Sequence, residues 1–395
     1  MATDENLADD RQATQNLDRA RDAGFLWNFW YPAARSVEIR GRNLLKAMLL
    51  EVPLVLGRTD GGRAFAMRDA CPHRGIPLSY GKFDGENLQC SYHGWKFDGC
   101  SGQCVAIPSL SSQDKLKVER IFAGHYPCAE SDGYVWVYFP GGELRAPLIT
   151  GDLHDPGSRP PEDAAATAPC LVRNTAAEPP RLATFSKKYK STHLSCDLPS
   201  HVDQGIIGLM DPAHGPFVHQ SWFWRSQKSM HEKAKQFEPI PNGFRMSTHS
   251  PSSNSAPYQM LKRLTGAPVT TTIDFVLPNM RTEEIRSGKS WFSSLTTVTP
   301  VRRDVSRIDF LAAWNVPLPI TLFRWFAKTF LRQDQETMIQ QAEGLKHNPR
   351  LMLIDDADRP AKWYFALKAN LQESRHIGGE MVHPMDGPTT LRWRS

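Results

Sequence analysis

Two cysteine–histidine pairs lie close together in the segment CPHRGIPLSYGKFDGENLQCSYHGW, residues 71–95. The first pair is Cys71 and His73, and the second is Cys90 and His93. Cysteine thiolates and histidine imidazoles are common metal ligands, so two such pairs in neighbouring loops predict a bound metal ion or metal cluster. The glycines in this segment favour the tight turns that such loops need.

The order of the ligands separates two kinds of centre. A structural zinc ion also takes two cysteines and two histidines, but zinc motifs usually hold both cysteines in one loop and both histidines in another. Here each loop supplies one cysteine and one histidine. This mixed order is typical of a Rieske [2Fe–2S] cluster, in which two thiolates bind one iron and two imidazoles bind the other. We favour the cluster and keep zinc as the alternative.

A second candidate metal site lies in GLMDPAHGPFVHQ, residues 208–220, which contains Asp211, His214 and His219. If the segment is helical, Asp211 and His214 share a face, because residues three apart are neighbours on a helix. Two histidines with one further carboxylate form the ligand set of many non-haem iron(II) sites, which keep open positions for dioxygen. The alternative is a helix end with two hydrogen-bonded core histidines.

The carboxylate of such a site is predicted from FRWFAKTFLRQDQETMIQQAEGL, residues 323–345. Phe326 and Phe330 follow the spacing of an inward helical face, and Asp334 and Met338 continue it. An aspartate within an apolar stripe is costly unless it is paired or bound to metal. Asp334 is therefore the candidate ligand, with a buried ion pair as the alternative, whereas Glu336 falls on the solvated side.

These motifs fit an α+β chain with two domains. We expect a helix or tail over residues 1–26, a small all-β domain over residues 27–142 and a larger α+β domain over residues 143–395. In the first domain, short strands alternate with Gly and Asp turns, and a stretch rich in Pro, Gly and Ala follows it. The larger domain alternates strands with helical tracts near 200–220, 320–346 and 360–372 and is expected to carry an antiparallel sheet flanked by helices.

Composition excludes several classes of function. The chain has 395 residues and a net charge of only +5, without a dense basic tract, so a nucleic-acid partner is not expected. No apolar stretch is long enough to predict a membrane span. Seven cysteines is an odd number for a disulfide scaffold, and no signal peptide is recognised, so the expected compartment is the cytoplasm.

The segments CPHRG and CSYHGW resemble the cluster loops of Rieske non-haem iron oxygenases. The resemblance implies that Cys71 and Cys90 bind one iron and that His73 and His93 bind the other. It also implies a mononuclear Fe(II) held by His214, His219 and a carboxylate from a later helix. Periodicity and resemblance both point to Asp334 for that carboxylate.

The same resemblance implies an oxygenase (alpha) subunit that forms a homotrimer. In such trimers Asp211 would carry electrons between the cluster of one subunit and the mononuclear iron of the next. Several relatives have an asparagine three residues before this aspartate, whereas this chain has Gly208. Any role of that asparagine side chain is therefore absent here or filled by another residue.

The implied activity is hydroxylation or oxidative demethylation of a hydrophobic or aromatic substrate with dioxygen. Electrons would come from NAD(P)H through a separate reductase or ferredoxin, because the chain has no dinucleotide-binding fingerprint. Arg74 and Lys82 are candidate contacts for an acidic ferredoxin. The chain is similar to the monooxygenase and O-demethylase branch. The alternatives are a ring cis-dihydroxylating dioxygenase subunit and a non-enzymatic Rieske electron carrier.

Overall fold

The structure, a computed structural model, describes residues 24–140, 178–182, 184–186, 188–219, 227, 230–251 and 256–395. Contacts divide the chain into an N-terminal unit, Trp27–Arg181, and a C-terminal unit, Leu182–Ser395, to which Leu26 also belongs. The expected helix or tail over residues 1–26 lies almost entirely outside the described residues. The expected boundary after residue 142 also lies outside them.

In the described residues, the N-terminal unit has eleven strands in three antiparallel sheets. Their orders are β1-β11-β10, β2-β3-β4-β9 and β5-β6-β7-β8. The strands are β1 Phe29–Arg35, β2 Leu45–Leu49, β3 Val52–Arg58, β4 Ala64–Arg68, β5 Lys82–Phe83, β6 Asn87–Gln89, β7 Lys96–Asp98, β8 Cys104–Ala106, β9 His125–Tyr126, β10 Cys128–Ser131 and β11 Tyr134–Phe139. Short 3-10 helices span Ser36–Glu38, Leu78–Tyr80 and Val118–Arg120.

The C-terminal unit contains one antiparallel sheet of eight strands, in the order β12-β18-β17-β16-β15-β14-β13-β19. The strands are β12 Lys190–Leu198, β13 Glu232–Ile240, β14 Gly243–His249, β15 Val269–Val276, β16 Met280–Ser287, β17 Ser290–Arg302, β18 Val305–Trp314 and β19 Thr389–Arg394. Each neighbouring pair from β13 to β18 is joined by a short connection or a hairpin, apart from the longer one between β14 and β15. The final strand adds to the edge beside β13.

Five α-helices of the described residues accompany this sheet. They are α1 Val202–Met210, α2 Gly215–Val218, α3 Ala256–Thr265, α4 Ile320–Leu345 and α5 Arg359–Ile377, with a 3-10 helix at Asp356–Asp358. Helix α4 begins after Pro319, and α5 has Pro360 in its first turn. Helix α5 ends at Gly378, whose left-handed backbone (φ 72°) lets its N–H bond to the carbonyl of Ser374.

These observations confirm the predicted α+β class, with an N-terminal all-β part and a larger α+β part. The predicted helical tracts near 200–220, 320–346 and 360–372 correspond to α1 with α2, to α4 and to α5. None of the described helices is both long enough and apolar enough to cross a membrane.

Each unit has its own apolar core. In the N-terminal unit, Phe65, Met67 and Phe97 are fully buried together. In the C-terminal unit, Phe275 and Tyr364 join the sheet to α5 through an edge-on ring contact with centroids 5.8 Å apart. Burial of such aromatic side chains is a main source of stability for each unit.

Candidate metal centres

The two cysteine–histidine loops have the same backbone hydrogen bonds. In the first loop, the N–H of Cys71 donates to the carbonyl of Ile76 (2.8 Å), and the N–H of Gly75 donates to the carbonyl of Cys71 (2.8 Å). The second loop repeats this pattern from Cys90 to Trp95 (2.8 Å) and from Gly94 to Cys90 (3.2 Å). Gly75 and Gly94 have almost the same left-handed φ, 72° and 71°. Two congruent turns therefore present the four side chains.

The cysteines and the histidines of these loops face different environments. Cys71 and Cys90 are each only 3% exposed and pack within the apolar core of the N-terminal unit. His73 is exposed and His93 is partly exposed. A group bound between the loops would therefore have its thiolate side in the core and its imidazole side near solvent.

Burial raises the pKa of the Cys71 thiol to about 11, and the neighbouring Cys90 contributes in the same direction. The backbone N–H groups of His73 and Arg74 point to the Cys71 sulfur and oppose this rise. The N–H groups of Gly75 and Gly94 themselves bond to carbonyls. The donors to the Cys71 sulfur are thus the backbone N–H groups of His73 and Arg74.

Aromatic contacts hold the two histidines of the loops. The His73 ring stacks on Trp95 with centroids 4.6 Å apart and planes inclined by 4°. The His73 and His93 rings lie 4.5 Å apart edge to face, and Tyr92 packs 3.9 Å from His93. Our reading of the motif did not assign a role to Trp95, although its place directly after CSYHG is the signal that could have suggested one.

The four side chains do not converge on a single point. Ligands of one tetrahedral zinc lie about 3.3–3.8 Å apart, as its bond lengths require. Within the described residues, three or more donor atoms come within 4.8 Å of one another only at His214, His219 and Asp334. The loop arrangement therefore fits a group with two metal atoms, one beside the buried thiols and one beside the imidazoles, better than a single zinc ion.

The structure brings His214, His219 and Asp334 together in the C-terminal unit. The Nε2 atoms of the two histidines are 3.2 Å apart. Asp334 Oδ1 lies 3.1 Å from His219 Nε2 and 4.0 Å from His214 Nε2. Neighbouring ligands of an octahedral ion with bonds of about 2.1 Å are about 3 Å apart, so these three atoms fit one face of such an ion.

Hydrogen bonds decide which nitrogen of each histidine is free. His214 Nδ1 lies 2.7 Å from the carbonyl oxygen of Asp211, and His219 Nδ1 lies 3.1 Å from Gln333 Oε1. Both partners are carbonyl oxygens, which only accept, so each Nδ1 carries the proton and each neutral ring has its lone pair on Nε2. Two lone pairs and a carboxylate oxygen then face one another without a proton to share. A cation between them removes this repulsion.

Asp211 lies in a turn, whereas its spacing from His214 was interpreted as that of a helix. Helix α1 ends at Met210, with Asp211 as its C-terminal cap, and Pro212 follows. The carboxylate accepts the backbone N–H of Ala213 at Oδ1 (2.7 Å) and leaves Oδ2 3.7 Å from His214 Nδ1. His214 Nδ1 donates its main hydrogen bond to the backbone carbonyl of Asp211 and not to the carboxylate. The proline after the helix turns the chain away from helical geometry at this point.

Asp334 lies on α4, on the same stripe as Phe330 and Met338. The ring of Phe330 packs 4.6 Å from that of His219, which is itself buried. Glu336 points away from the stripe and pairs with Arg332 at 2.9 Å on the exposed side, as the periodicity predicted. Gln333 holds His219 across 114 residues of sequence, and no sequence signal pointed to it.

A cavity of about 1670 Å³ lies between the sheet of the C-terminal unit and its helices. Its lining includes Asp211 and all three residues of the metal-type site. Much of the remaining wall is aromatic, with Phe237, Phe244, Phe275, Phe292, Phe310 and Phe323. Typical ligand pockets measure about 300–1,000 Å³, so this cavity can admit a large apolar molecule.

Comparison with known proteins agrees with this geometry. Residues 29–120 match the family model of the Rieske [2Fe–2S] domain. Chlorophyllide a oxygenase of Chlamydomonas reinhardtii is 34% identical over 202 residues, which cover 51% of this chain and 25% of that protein. The oxygenase component of dicamba O-demethylase of Stenotrophomonas maltophilia is 31% identical over 201 residues, covering 50% of this chain and 48% of that protein. The chain thus spans less than half the length of these curated relatives.

Solved structures share the fold over nearly the whole chain. NdmA of Pseudomonas putida CBB5 with caffeine superimposes with a TM-score of 0.70 at 18% identity, covering 91% of this chain and 94% of that one. Dicamba monooxygenase bound to dicamba gives 0.63 at 20% identity, covering 89% and 100%. The matched domain and the shared fold define a protein that joins a Rieske [2Fe–2S] domain to a larger α+β domain. The chain therefore carries a Rieske [2Fe–2S] domain and shares the fold of the solved oxygenases named above.

Proposed function

We propose that this chain uses dioxygen and externally supplied electrons to hydroxylate or oxidatively demethylate a hydrophobic or aromatic substrate. The observation that carries the proposal is the convergence of two Nε2 lone pairs and the Asp334 carboxylate on one point of the cavity wall. An electron carrier needs the cluster loops but has no use for a second metal site that opens into a large cavity. This feature favours the oxygenase over the carrier.

The proposed ligands follow from the donor atoms. Cys71 and Cys90 would bind one iron of the cluster, and His73 and His93 would bind the other. His214, His219 and Asp334 would bind a mononuclear Fe(II). When bound, the cluster supplies single electrons and the mononuclear iron supplies a site for activating dioxygen.

The protein's own residues prepare this site. The carbonyl of Asp211 and the amide of Gln333 fix the tautomers of His214 and His219, so that neither ring must reorganise to accept a metal. The phenylalanines of the cavity exclude water and surround an apolar substrate. We further propose that the Asp211 carboxylate is the polar link through which electrons reach His214.

Among oxygenations, we favour attack on one carbon over ring cis-dihydroxylation. Two relatives similar to this chain are named dicamba O-demethylase and 4beta-methylsterol monooxygenase. A third is named 3-chlorobenzoate-3,4-dioxygenase, so the dihydroxylating alternative is kept; its match covers 29% of this chain, against 31% for the sterol monooxygenase and 50% for dicamba O-demethylase. The size of the cavity suits a substrate larger than a single ring.

We propose a ferredoxin or ferredoxin reductase as electron donor, with NAD(P)H as the source of electrons. Arg74 is exposed beside His73, which supports docking of an acidic protein at that edge. We also propose a homotrimer and a cytoplasmic location. Six cysteines are free thiols within the described part of the chain, which supports a reducing compartment.

The test is incorporation of labelled dioxygen into product. The purified protein is supplied with a generic ferredoxin and its reductase and screened with methoxyarenes, sterols and terpenoids, and oxygen uptake and formaldehyde release are followed. Asp334→Ala should abolish incorporation, while the matched variant Glu336→Ala on the exposed side of α4 should keep it. Incorporation that survives Asp334→Ala would remove Asp334 from the site, and uptake without labelled product from any substrate would contradict the proposed activity.

A further inference from the structure

A charged pair lies on the sheet side of the cavity, away from the metal-type site in the sequence. Arg281 and Glu283 are two residues apart on β16, so their side chains point to the same face of the sheet, and both line the cavity. Arg281 Nη1 lies 3.1 Å from Glu283 Oε2, and the two side chains are only 20% and 18% exposed. Burial of two charges is expensive, so a pair kept in an apolar wall calls for an explanation.

The antiparallel register surrounds this pair with further polar groups. On β17, Thr296 lies opposite Arg281 and Ser294 lies opposite Glu283. On β15, Ile273 lies opposite Glu283, and Thr271, two residues before it, also lines the cavity. The Oγ1 atom of Thr271 is buried and has no hydrogen-bond partner. One polar patch thus interrupts the apolar floor of the cavity.

The pair leaves hydrogen-bonding capacity unused. Within the described residues, the side chain of Arg281 makes one hydrogen bond, to Glu283 Oε2. This bond uses one of the five N–H groups of the guanidinium. Glu283 Oε1 is likewise left to accept a hydrogen bond. A bound molecule could therefore accept from Arg281 and donate to Glu283 at the same place.

The two lysines on the cavity wall are already engaged. Lys233 Nζ donates to Ser395 Oγ (2.7 Å), and Lys235 Nζ donates to the carbonyl of Ser250 (3.0 Å). Arg263 is exposed on α3. The Arg281–Glu283 pair is therefore the charged group on the sheet that is best placed to hydrogen-bond with a substrate.

We propose that Arg281 and Glu283 determine specificity by binding one neutral oxygen group, a hydroxyl or a carbonyl, of a large apolar substrate. This inference rests on the proposed function and names the class of substrate. The two charges cancel, so the pair offers a donor and an acceptor without a net charge. A hydroxyl uses both, and a carbonyl uses the donor.

A carboxylate fits this site less well than a neutral group. It would gain from Arg281 but would lie beside Glu283, and repulsion between like charges is strong in an apolar cavity. The prediction is distinctive because removal of the Glu283 charge should abolish the preference for a neutral group over a carboxylate. A purely structural ion pair would have no such effect on ligand choice.

The experiment measures binding by isothermal titration calorimetry with the purified, cluster-containing protein. The probes are androstanol, androstanone and an androstane carboxylate substituted at the same ring position. The wild-type protein should bind the alcohol and the ketone about tenfold more tightly than the carboxylate. Arg281→Gln should weaken alcohol and ketone about tenfold, and Glu283→Gln should tighten the carboxylate about tenfold.

A matched control is available on the same strand. Glu284 pairs with Arg286 at 2.5 Å on the exposed face of β16, so Glu284→Gln removes an ion pair without touching the cavity. It should leave the affinities of all three probes unchanged. The inference is overturned if no probe binds the wild-type protein, if Arg281→Gln binds alcohol and ketone normally, or if Glu283→Gln does not bind the carboxylate more tightly than the wild type does. Binding requires no turnover, so a failure of the oxygenation test leaves this result readable.

Discussion

The three ligand-type atoms of the C-terminal unit are arranged by hydrogen bonds made on the far side of each ring. The Asp211 carbonyl fixes His214, and the Gln333 amide fixes His219. Such outer partners commonly set both the tautomer and the basicity of a metal-binding histidine. We therefore expect the affinity of this site for metal to depend on Asp211 and Gln333, which do not bind the metal themselves.

Gln333→Leu should lower the affinity for mononuclear iron about 10–100-fold, because His219 loses the acceptor that keeps its proton on Nδ1. The measurement is competition for iron with a chelator of known affinity. Gln340→Leu, at an exposed position of the same helix, is the matched control and should bind iron as the wild type does. Equal affinities in the two variants would show that the amide does not orient His219.

At this scale the sequence predicted part of the site. His214, His219 and Asp334 were predicted as one set from a short motif and an apolar stripe, and the structure brings them together; their role as iron ligands stays a prediction. Gln333 could not be predicted, because its partner is remote in sequence and glutamine is common on helices. The turn at Asp211 was misread as helix because spacing alone does not show where α1 ends.

Helix α1, which leads into the metal-type site, is anchored by a buried ion pair. Asp203 and Lys368 are both fully buried, with Lys368 Nζ 2.8 Å from each carboxylate oxygen, and Tyr364 donates a further hydrogen bond. Burial alone would raise the pKa of Asp203, but hydrogen bonding with His201 and the charge of Lys368 outweigh it and lower that pKa. The pair joins α1 to α5.

Asp203→Asn should destabilise the protein by about 3–5 kcal/mol at neutral pH, because it leaves Lys368 buried without a counter-charge. The lowered pKa means that this stabilisation is present above the unfolded value of about 3.9 and is lost as pH falls through the folded value below it. The stability difference between wild type and variant should therefore be constant above about pH 5 and shrink in stronger acid.

Urea unfolding at a series of pH values measures this difference. Glu373→Gln, at an exposed position of α5, should change stability by no more than about 0.5 kcal/mol. A difference between wild type and Asp203→Asn that grows as the pH falls would contradict the assigned ion pair.

A close backbone approach supports the cluster loops. A Cβ on Gly81 would lie 2.0 Å from the carbonyl oxygen of Gln89, the residue before Cys90. Neither backbone segment can yield without moving a strand, so Gly81→Ala should lower cluster content and the stability of the N-terminal unit. Visible absorbance per chain measures the cluster. Gly61→Ala, whose Cβ would meet only Thr59 Oγ1 at 3.7 Å, is the control and should keep the full absorbance.

The helices and strands were largely predictable from the sequence, but the contacts between them were not. Runs such as YVWVYF in β11 and the long stripe of α4 show the expected periods, so strand and helix were assigned from local pattern. The order of the eight-stranded sheet, with β19 beside β13, depends on contacts across more than a hundred residues. The pairing of Asp203 with Lys368 depends on the same kind of contact.

Taken as a whole, the molecule has two candidate metal centres of different kinds, each built on its own unit. The N-terminal unit pairs buried thiols with outward histidines, and the C-terminal unit places a metal-type site in the wall of a large cavity. Arg281 and Glu283 lie in the cavity wall because of how β16 pairs with its neighbouring strands, so no local sequence pattern could have indicated this polar patch. The proposed substrate contacts thus depend on tertiary structure, whereas the candidate metal centres were predictable from short motifs.

The most direct test of this account is the iron and acid-labile sulfide content of the anaerobically loaded protein. We predict about three irons and two sulfides per chain, with the red-brown absorbance of a Rieske cluster. Asp334→Ala should hold about two irons and keep the same visible spectrum. A colourless protein, or a wild type that binds no more iron than Asp334→Ala, would contradict the account.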